Sequence, residues 1–485
     1  MIEGLKPYAE YKESRLPWLG RCPKNWSVRR TKILFQERVQ KGFPNEPLLA
    51  ATQTKGVVKK EDYETRTVTA QKDLHLLKLV EVGDYVISLR SFQGGIEVAH
   101  CRGIISPAYT VLKPRKTATS GYYSHFFKAK PFIDSLSLFV TGIREGQNID
   151  YERLSRAEMP MPSEDEQAAI VRFLDHANRK IDGWVRAKRK LIGLLNEQKQ
   201  AIIHRAVTGK DEVRMVKDEN GNSSFILQPS TLPKKPSGIP WLGDIPQHWE
   251  VRRLRFCIVG KLSYGANAAA EFDNPDWPRY LRITDFNNDG SLRADTFRSL
   301  PPHVAKDYPV EDGDILFARS GATVGKAFLV RTEIEKACYA GYLIRARPNA
   351  DVVLPTFLFA FTQSTAFACW KDAIFNRATI QNIGADKYAN LIVPIPPIAE
   401  QQAILDFIEK DIAPLRTAIA RTEREIALMQ EYRTRLTADL VTGKLDVREA
   451  AAHLPAPPAA VPAEIVTELS ADEPLEEIET EETEA

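Results

Sequence analysis

Two kinds of hydrophobic pattern alternate along the chain. Short apolar runs such as DYVISLR and DILFAR are separated by Gly, Pro and Asn, which is typical of strands joined by turns. Between these regions lie two longer stretches in which apolar residues recur at alternating steps of four and three. Such steps indicate helices that pack in a coiled coil. The pattern therefore predicts mixed α/β regions and two long helices.

Residues typical of helix ends flank both long helical stretches. Prolines stand just before each helical stretch, and Gly209 and Gly443 stand where a C-terminal cap is expected. Pro414 is an exception, because an interior proline removes a backbone hydrogen bond or kinks the helix. The helical seam consists of Ile170, Leu174, Ala177, Ile181, Trp184, Lys188, Leu191, Leu195, Gln198 and Ile202 in the first stretch, and of Ile404, Ile408, Leu415, Ala418, Met429 and Leu436 in the second.

The chain is two copies of one unit. SRLPWLGRCPKNWSVRR at 14–30 returns as SGIPWLGDIPQHWEVRR at 237–253, an offset of 223 residues. MPMPSEDEQAAIVRFLD, from Met159, returns as VPIPPIAEQQAILDFIE, from Val393, at an offset of 234 residues. Each copy therefore begins with the same tryptophan-rich motif and enters its helix through the same Pro and Glu-Gln motif.

The duplicated tryptophans Trp18, Trp26, Trp241 and Trp249 have two interpretations. Large apolar side chains can stack on bases, but they more often pack in a core. We favour packing, and we expect these side chains to anchor each mixed domain to the helix ends.

The expected fold class is α+β, with two mixed α/β domains separated by two long helices that form an antiparallel coiled coil. An internal pseudo-two-fold repeat relates the two halves. Asn220-Gly221 lies between two short apolar runs and indicates a hairpin in the linker. The predicted segments are 1–157 for the N-terminal segment and first domain, 158–210 for the first helix, 211–236 for the hairpin linker, 237–391 for the second domain, 392–444 for the second helix and 445–485 for an acidic disordered tail.

Composition narrows the class of protein. At 485 residues the chain exceeds the size at which one core stops growing. Its five cysteines are scattered without a CxxC pair, and its eight histidines lack zinc-ligand spacing, so neither a disulfide framework nor a metal site is expected. We find no signal peptide and no apolar stretch long enough to cross a membrane, and we expect a cytoplasmic protein.

The net charge of +2 is the sum of an acidic C-terminal segment and a basic remainder of the chain, here called the basic body. Residues 451–485 hold ten acidic residues and no Lys or Arg, so the rest of the chain carries a formal charge of +12. A basic body is compatible with a polyanionic partner. A duplicated chain also imitates a dimer, and dimeric readers of duplex DNA place two recognition elements about one helical turn, or a multiple of it, apart. The pattern thus favours double-stranded DNA as a partner.

The paired PWLG..P..W.VRR openings, the GDIL.ARSGATVGK stretch and the P.P...EQ..I..F entry into each helix resemble the specificity subunits of type I restriction-modification systems. The resemblance extends from Ser14 to Lys444. It implies two target recognition domains that each read one half of a bipartite DNA site, while the helices set the unread spacer and dock two methyltransferase (M) subunits. It places S-adenosylmethionine and methyl transfer in those partners, and ATP, magnesium, translocation and cleavage in separate restriction (R) subunits. No catalytic residue, metal or cofactor is then expected in this chain.

Two motifs require alternatives. SGATVGK at 320–326 superficially resembles a phosphate loop, but Ser320 stands where the first glycine belongs and Ala327 replaces the magnesium-binding hydroxyl. A turn after a strand is more plausible, either close to DNA or purely structural. Asn274-Pro275-Asp276-Trp277 resembles the motif of amino-methyltransferases, yet it lacks the second proline and a glycine-rich cofactor loop, so we interpret it as an ordinary turn.

Base reading is expected from Arg, Lys, Asn and Gln on loops, whose donors and acceptors match guanine and adenine edges. The two copies carry different loops, SLRSFQGGIE and ARSGATVGK, which predicts an asymmetric target. The duplicated Gln-Asn-Ile, with an arginine nearby, either contacts DNA or caps the next element. The candidates are Arg90, Gln93, Arg144, Gln147 and Asn148 in the first copy, and Arg319, Ser320, Thr323, Lys326, Arg377, Gln381 and Asn382 in the second.

Three rival functions stay open from the sequence. A standalone nuclease or methyltransferase would need a carboxylate cluster or cofactor loop, which we do not find. A coiled-coil scaffold would explain the helices but neither the duplicated domains nor the basic body. A specificity-like subunit of an enzyme whose nuclease and methylase are fused in one partner is the third, and neighbouring genes would distinguish it.

Overall fold

The computed structural model describes residues 5–62, 73–89, 91–115, 120–141, 148–217, 223–229, 233–287, 292–293, 295–321, 323–331, 336–375 and 382–455. Packing divides the chain into two compact units. Unit 1 comprises Met1–Ala187 and Arg424–Ala485, and unit 2 comprises Lys188–Glu423. Both boundaries fall inside the long helices and not at 157 or 391, because each mixed domain packs against parts of both helices. Within the described ranges, no helix combines the length and apolar character that crossing a bilayer requires.

The two long helices have equal length. They span Glu164–Val207 and Ile398–Val441, with 44 residues each, and Pro414 lies within the second. They are shorter than the predicted segments 158–210 and 392–444 because a strand precedes each helix: Glu158–Met161 pairs antiparallel with Ser27–Arg30, and Ile392–Ile395 pairs antiparallel with Glu250–Arg253. The proline-rich approach to each helix is therefore part of a two-stranded sheet.

Unit 1 is a mixed domain of short elements. Its other helices are Thr31–Leu34, Ser91–Gly94, Ser120–Phe126, Lys130–Leu136, Tyr151–Arg156 and Arg448–Ala452. Its strands are Tyr11–Glu13, Arg21–Pro23, Ser27–Arg30, Phe35–Arg38, Leu49–Thr52, Gly56–Lys59, Lys78–Val80, Tyr85–Ile87, Glu97–Val98, Gly103–Ile105, Thr110–Pro114, Val140–Thr141, Asn148–Ile149 and Glu158–Met161.

Unit 2 follows the same plan. Its other helices are Pro302–Ala305, Pro355–Thr362, Thr365–Phe375 and Ala385–Ala389. Its strands are Asp211–Lys217, Ser223–Pro229, Lys234–Pro236, Asp244–Pro246, Glu250–Arg253, Ser263–Tyr264, Arg279–Leu281, Ile315–Ala318, Ala327–Leu329, Ala337–Tyr339, Leu343–Ala346 and Ile392–Ile395. The linker strands Asp211–Lys217 and Ser223–Pro229 pair antiparallel, and Asn220-Gly221 lies outside the described residues.

A four-stranded antiparallel sheet occurs in each unit. In unit 1 the spatial order is Phe35–Arg38, Thr110–Pro114, Tyr85–Ile87 and Glu97–Val98. In unit 2 it is Ser263–Tyr264, Leu343–Ala346, Ile315–Ala318 and Ala327–Leu329. Taken in chain order, both sheets have the strand order first, fourth, second, third. The sequence repeat is thus also a repeat of topology.

A buried aspartate precedes the second strand of each sheet. Asp84 accepts from Arg38 Nε at 2.6 Å, and Asp314 accepts from Arg347 Nε at 2.8 Å. The pKa of the Arg347 guanidinium is raised, chiefly by its hydrogen bond to Asp314. Because a buried carboxylate without a partner is costly, each pair fixes the turn that leads into the strand.

The core of unit 1 contains the beginning of one long helix and the end of the other. Ile170 and Leu174 of the first helix lie in the same buried cluster as Leu440 and Val441 of the second. Tyr122 Oη, in the mixed domain, donates to the Val441 carbonyl at 2.8 Å. In this unit the two helices therefore run in opposite directions, and both complete the hydrophobic core.

Unit 2 has the reciprocal arrangement. Ala206 and Val207, at the end of the first helix, share a buried cluster with Ile404 and Ile408, near the start of the second. Trp249 of the mixed domain belongs to the same cluster. Each mixed domain is thus completed by the start of its own helix and the end of the other copy's helix.

The duplicated tryptophans lie where the mixed domains meet the helices. Trp26 and Trp249 are almost fully buried, while Trp18 and Trp241 are partly buried against the two cores. Gly209 and Gly443 end the helices with φ of +66° and +76°. A Cβ atom on Gly443 would overlap Pro23 and approach Trp26, and one on Gly209 would overlap Pro246 and approach Trp249. Packing between the mixed domains and the helix ends therefore accounts for the duplicated tryptophans.

The segment after the second helix corrects one prediction. Residues 445–455 are ordered, with a helix at Arg448–Ala452 and a fully buried Val447. Asp446 N donates to the Lys6 carbonyl at 2.8 Å, so the segment pairs with the N-terminal region. The disordered tail predicted from residue 445 is wrong for these eleven residues, because Val447 and Ala451 complete the core of unit 1. Residues 456–485 lie outside the described ranges.

Candidate nucleic-acid interface

The loop after the central strand Ile315–Ala318 carries the candidate site of unit 2. Arg319 N donates to the Tyr342 carbonyl at 2.9 Å, and Ile383 N donates to the Arg319 carbonyl at 2.9 Å. Ser320 and Asn382 form an isolated antiparallel bridge. The structure thus brings together three candidates, Arg319, Ser320 and Asn382, although Asn382 is distant from the other two in sequence.

The Arg319 side chain lies between an amide and an aromatic ring. Its Nε donates to Asn382 Oδ1 at 3.3 Å, and its guanidinium lies 5.1 Å from the centre of the Tyr264 ring. A cation held over a ring and by a hydrogen bond has fewer rotamers to lose on binding. The planar donor fork of such a guanidinium matches planar acceptors, among them a guanine edge and a phosphate.

Tyr264 and Tyr342 are functional candidates that the analysis of the sequence missed. Both side chains are exposed, with exposed fractions of 42% and 63%. Tyr264 Oη accepts a hydrogen bond from Ala385 N at 3.0 Å, which fixes the ring beside the loop. The local signal was an aromatic residue between Ser263 and Gly265 in a polar run, which is weak by itself.

Backbone hydrogen bonds hold the turn that follows Ser320. Val324 N donates to the Gly321 carbonyl at 3.0 Å, and Lys326 N donates to the Thr323 carbonyl at 2.9 Å. The strand Ala327–Leu329 follows the turn, whereas a phosphate loop leads into a helix. The structure therefore favours the turn over nucleotide binding. In this turn Lys326 is exposed and Thr323 is half-buried, and both residues are close to Arg319 in sequence.

Unit 1 has an equivalent loop with different residues. Gln93 is exposed on the short helix Ser91–Gly94, which follows the central strand Tyr85–Ile87. This helix contacts the strand Asn148–Ile149, so the loop again lies beside the Asn-Ile residues of the duplicated motif. The other candidates of the two units, Arg90, Arg144, Gln147, Arg377 and Gln381, lie outside the described residues.

A basic surface adjoins the site of unit 2. Arg252, Arg253, Arg255 and Phe256 line a shallow depression. The Arg253 guanidinium donates to Asn390 Oδ1 at 3.4 Å, and Asn390 directly follows the helix Ala385–Ala389 whose first residue bonds Tyr264. The basic depression is therefore connected to the base-reading candidates through one short helix.

The first turn of each long helix contains a glutamate that accepts hydrogen bonds from the mixed domain. Glu166 accepts from Trp26 Nε1 at 2.8 Å, Asn25 Nδ2 at 2.9 Å and Tyr8 Oη at 2.5 Å. Burial, and next the hydrogen bond to Glu166, raise the pKa of the Tyr8 hydroxyl. Glu400 accepts from Trp249 Nε1 at 3.0 Å and contacts His248 Nε2 at 2.8 Å. These bonds fix the direction in which each helix leaves its domain.

The second copy is similar to a known protein family. Residues 247–426 match the family model for the type I restriction modification DNA specificity domain. The resemblance to type I specificity subunits is confirmed. This match covers most of the mixed domain of unit 2 together with the first part of the second long helix.

Known specificity subunits are similar to a longer part of this chain than the family model, a part longer than one copy. The EcoKI specificity subunit of Escherichia coli K12 is 24% identical over 360 residues, which are 69% of this chain and 71% of that protein. The MjaIX specificity subunit of Methanocaldococcus jannaschii is 21% identical and covers 77% of this chain and 80% of its own. A solved structure described as the basis of complex assembly and conformational transition of the type I R-M system shares the fold, with a TM-score of 0.55, 14% identity and coverage of 87% of this chain and 98% of that one.

Proposed function

We propose that this chain is the DNA sequence-recognition subunit of a type I restriction-modification complex. It binds a bipartite, asymmetric target, with one half-site read by each mixed domain. It catalyses no reaction itself, and it recruits two methyltransferase (M) subunits and the restriction (R) subunits. S-adenosylmethionine, ATP and magnesium act in those partners, and the complex acts in the cytoplasm.

One observation carries this proposal. The two units repeat the same sheet order and have equivalent loops beside Asn148-Ile149 and Asn382-Ile383, yet the loops present Gln93 in one unit and Arg319 in the other. A repeated framework with different amide and guanidinium groups is suited to reading two different base sequences, because these groups prefer adenine and guanine respectively. A scaffold protein would have no need for this difference.

The basic depression of unit 2 supports binding of the DNA backbone. Arginine side chains bind phosphates in a way that fixes register without reading sequence. Arg252, Arg253 and Arg255 line this depression, and Arg253 is connected through Asn390 to the helix Ala385–Ala389. We assign them phosphate contacts that orient unit 2 on its half-site.

The long helices support a spacer and docking role. Each has 44 residues, or roughly 66 Å at the rise of an α-helix. Within each unit the helices run in opposite directions, which is compatible with an antiparallel coiled coil along their full length. Their exposed faces are the proposed docking sites of the M subunits, and their length sets the unread spacer of the target.

The experiment that tests the proposal is an exchange of one recognition domain. Residues 14–157 are replaced by the matching domain of a relative, and the hybrid is co-expressed with the M subunits encoded beside it in a host without DNA methylation. Sequencing of methylated bases should show one new half-site and one unchanged half-site. A change in both half-sites at once would contradict the assignment of one half-site to each domain, and methylation by the purified chain alone would contradict a non-catalytic role.

A further inference from the structure

Lys128 connects three separate segments of unit 1. Its Nζ donates to the carbonyl of Gln53 at 2.9 Å and to the carbonyl of Gly94 at 2.9 Å, and it forms an ion pair with Glu97. A lysine ammonium has three protons, so these three acceptors use its full capacity. Only 3% of the Glu97 side chain is exposed, and this buried charge holds the ammonium in place.

The Gln53 side chain lies against Gly94. A Cβ atom on Gly94 would lie 2.8 Å from Gln53 Cδ and 3.2 Å from Nε2, so glycine at this position leaves space for the Gln53 amide. The next residue, Gly95, has a φ of +86°, and a Cβ there would collide with the Phe127 carbonyl. The two glycines thus allow the loop to pack closely on the segment that carries Lys128, and they bring Gln53 beside the residue that follows Gln93.

The turn that carries Gln53 is held by its own hydrogen bonds. Thr52 Oγ1 donates to the Gly56 carbonyl at 2.9 Å and accepts from Lys55 N at 3.0 Å. The turn joins the antiparallel strands Leu49–Thr52 and Gly56–Lys59. In the described part of the chain, the half-buried side-chain amide of Gln53 has no hydrogen-bond partner, although its backbone is fixed. A fixed backbone that carries an amide without an internal partner suits a recognition residue, because the donor and acceptor of the amide stay available to a ligand.

We propose that Gln53 reads a base of the half-site bound by unit 1, and that Lys128 is the positioning residue that holds it beside Gln93. The inference rests on the proposed function and adds a specificity-determining residue to it. A glutamine amide offers one donor and one acceptor side by side, which match N7 and N6 of adenine in the major groove. Two neighbouring glutamines from different loops can then read adjacent base pairs.

The test uses the complete complex and a library of target sites. The chain is co-expressed with its M subunits, together with plasmids that carry the wild-type target and every single-base change of it, and methylation of each site is measured by sequencing. Gln53→Ala should relax the preference at one base pair of the unit 1 half-site by roughly 5- to 150-fold. Gly94→Ala should relax the same base pair, because its methyl group displaces the Gln53 amide while the helical backbone accepts alanine.

Control variants distinguish a loss of base recognition from a loss of folding. Gln36→Ala removes the same chemical group from an exposed strand position of unit 1 and should leave both half-sites unchanged. The double change Lys128→Met with Glu97→Gln removes the buried pair without leaving one charge alone, and it should relax the base pair affected by Gln53→Ala. The half-site read by unit 2 is the internal control in every experiment and should be unchanged.

The outcomes distinguish this inference from the function on which it rests. If the wild-type complex methylates no bipartite site, the proposed function is wrong and the inference falls with it. If the wild type is active and Gln53→Ala retains its full preference at every base pair, only the inference is wrong. A loss spread evenly over both half-sites would also overturn it, because that pattern indicates damage to the fold and not to base reading.

Discussion

Trp26 Nε1 lies 2.8 Å from Glu166 Oε1, and this bond joins the motif that opens the first copy to the motif that starts its helix. Trp249 and Glu400 repeat the contact at 3.0 Å in the second copy. The two most visible parts of the sequence repeat are therefore physical partners, although 140 residues separate them in the first copy.

Removal of the two helix-start glutamates should have unequal effects on stability. Glu166 is 2% exposed and accepts from three side chains, so Glu166→Ala leaves buried donors unpaired and should cost about 3 kcal/mol. Glu400 is more exposed and its partner His248 can bond water instead, so Glu400→Ala should cost about half as much. Urea unfolding of the two purified variants measures the difference. Equal losses would show that the buried bonds around Glu166 add nothing.

Arg319→Ala should relax the half-site read by unit 2. Loss of a bidentate contact to a base removes about 1–3 kcal/mol of discrimination, and the half-site of unit 1 should stay unchanged. Arg319→Lys should not restore the preference, because an ammonium lacks the planar fork that lies over Tyr264. Arg331→Ala, at an exposed position, is the matched control. Methylation of single-base variants of the target gives the result, and an unchanged preference in Arg319→Ala would exclude base reading by this residue.

The basic depression of unit 2 should contribute to affinity without contributing to specificity. Arg253→Ala should reduce the slope of log affinity against log salt by about 0.9, the value expected for one lost phosphate contact. Arg331→Ala removes an exposed arginine of unit 2 outside both the depression and the long helices, and it is the control. Binding of the assembled complex to its target is measured across a salt series. A change in base preference without a change in slope would argue for base contacts instead.

Two glycine substitutions should change stability in opposite directions. Gly443→Ala should destabilise the chain by more than about 1 kcal/mol, because its φ is +76° and the added Cβ meets Pro23 and Trp26. Gly183→Ala should stabilise it by about 0.5–1 kcal/mol, because this helical glycine faces open space. Thermal unfolding distinguishes the two. A stable Gly443→Ala variant would mean that the end of the second helix is not fixed against unit 1.

Lengthening one long helix should lengthen the unread spacer of the target. Four residues inserted in the middle of the helix add roughly 6 Å, and duplex DNA rises about 3.4 Å per base pair, so the spacer should grow by one to two base pairs. The insertion adds a net rotation near 40°, against roughly 70° for two base pairs, a difference that domain hinges can absorb. Sequencing of methylated sites checks the result. An active variant with an unchanged spacer would show that the helices do not measure the distance.

The sequence predicted several residues of the candidate site, but it did not predict which of them contact each other. Arg319 and Asn382 were both candidates from residue type and repetition, whereas their contact depends on a bridge across 63 residues. Tyr264 and Gln53 were missed because each stands alone in a polar run of the sequence. Their significance comes from neighbours that are distant in sequence, the Arg319 guanidinium and Gly94.

The sequence by itself determined the duplication, the two long helices and the character of the mixed domains, because repetition and the period of apolar residues are local properties. Only the tertiary structure decided which helix end completes which domain. Gly443, from the second copy, packs on Trp26 of the first, and Gly209 packs on Trp249 in the reciprocal way. The period of a helix shows which face is buried but not what covers it. That choice depends on burying the ends of both helices and two tryptophans in the same cores, a free energy shared by residues hundreds of positions apart.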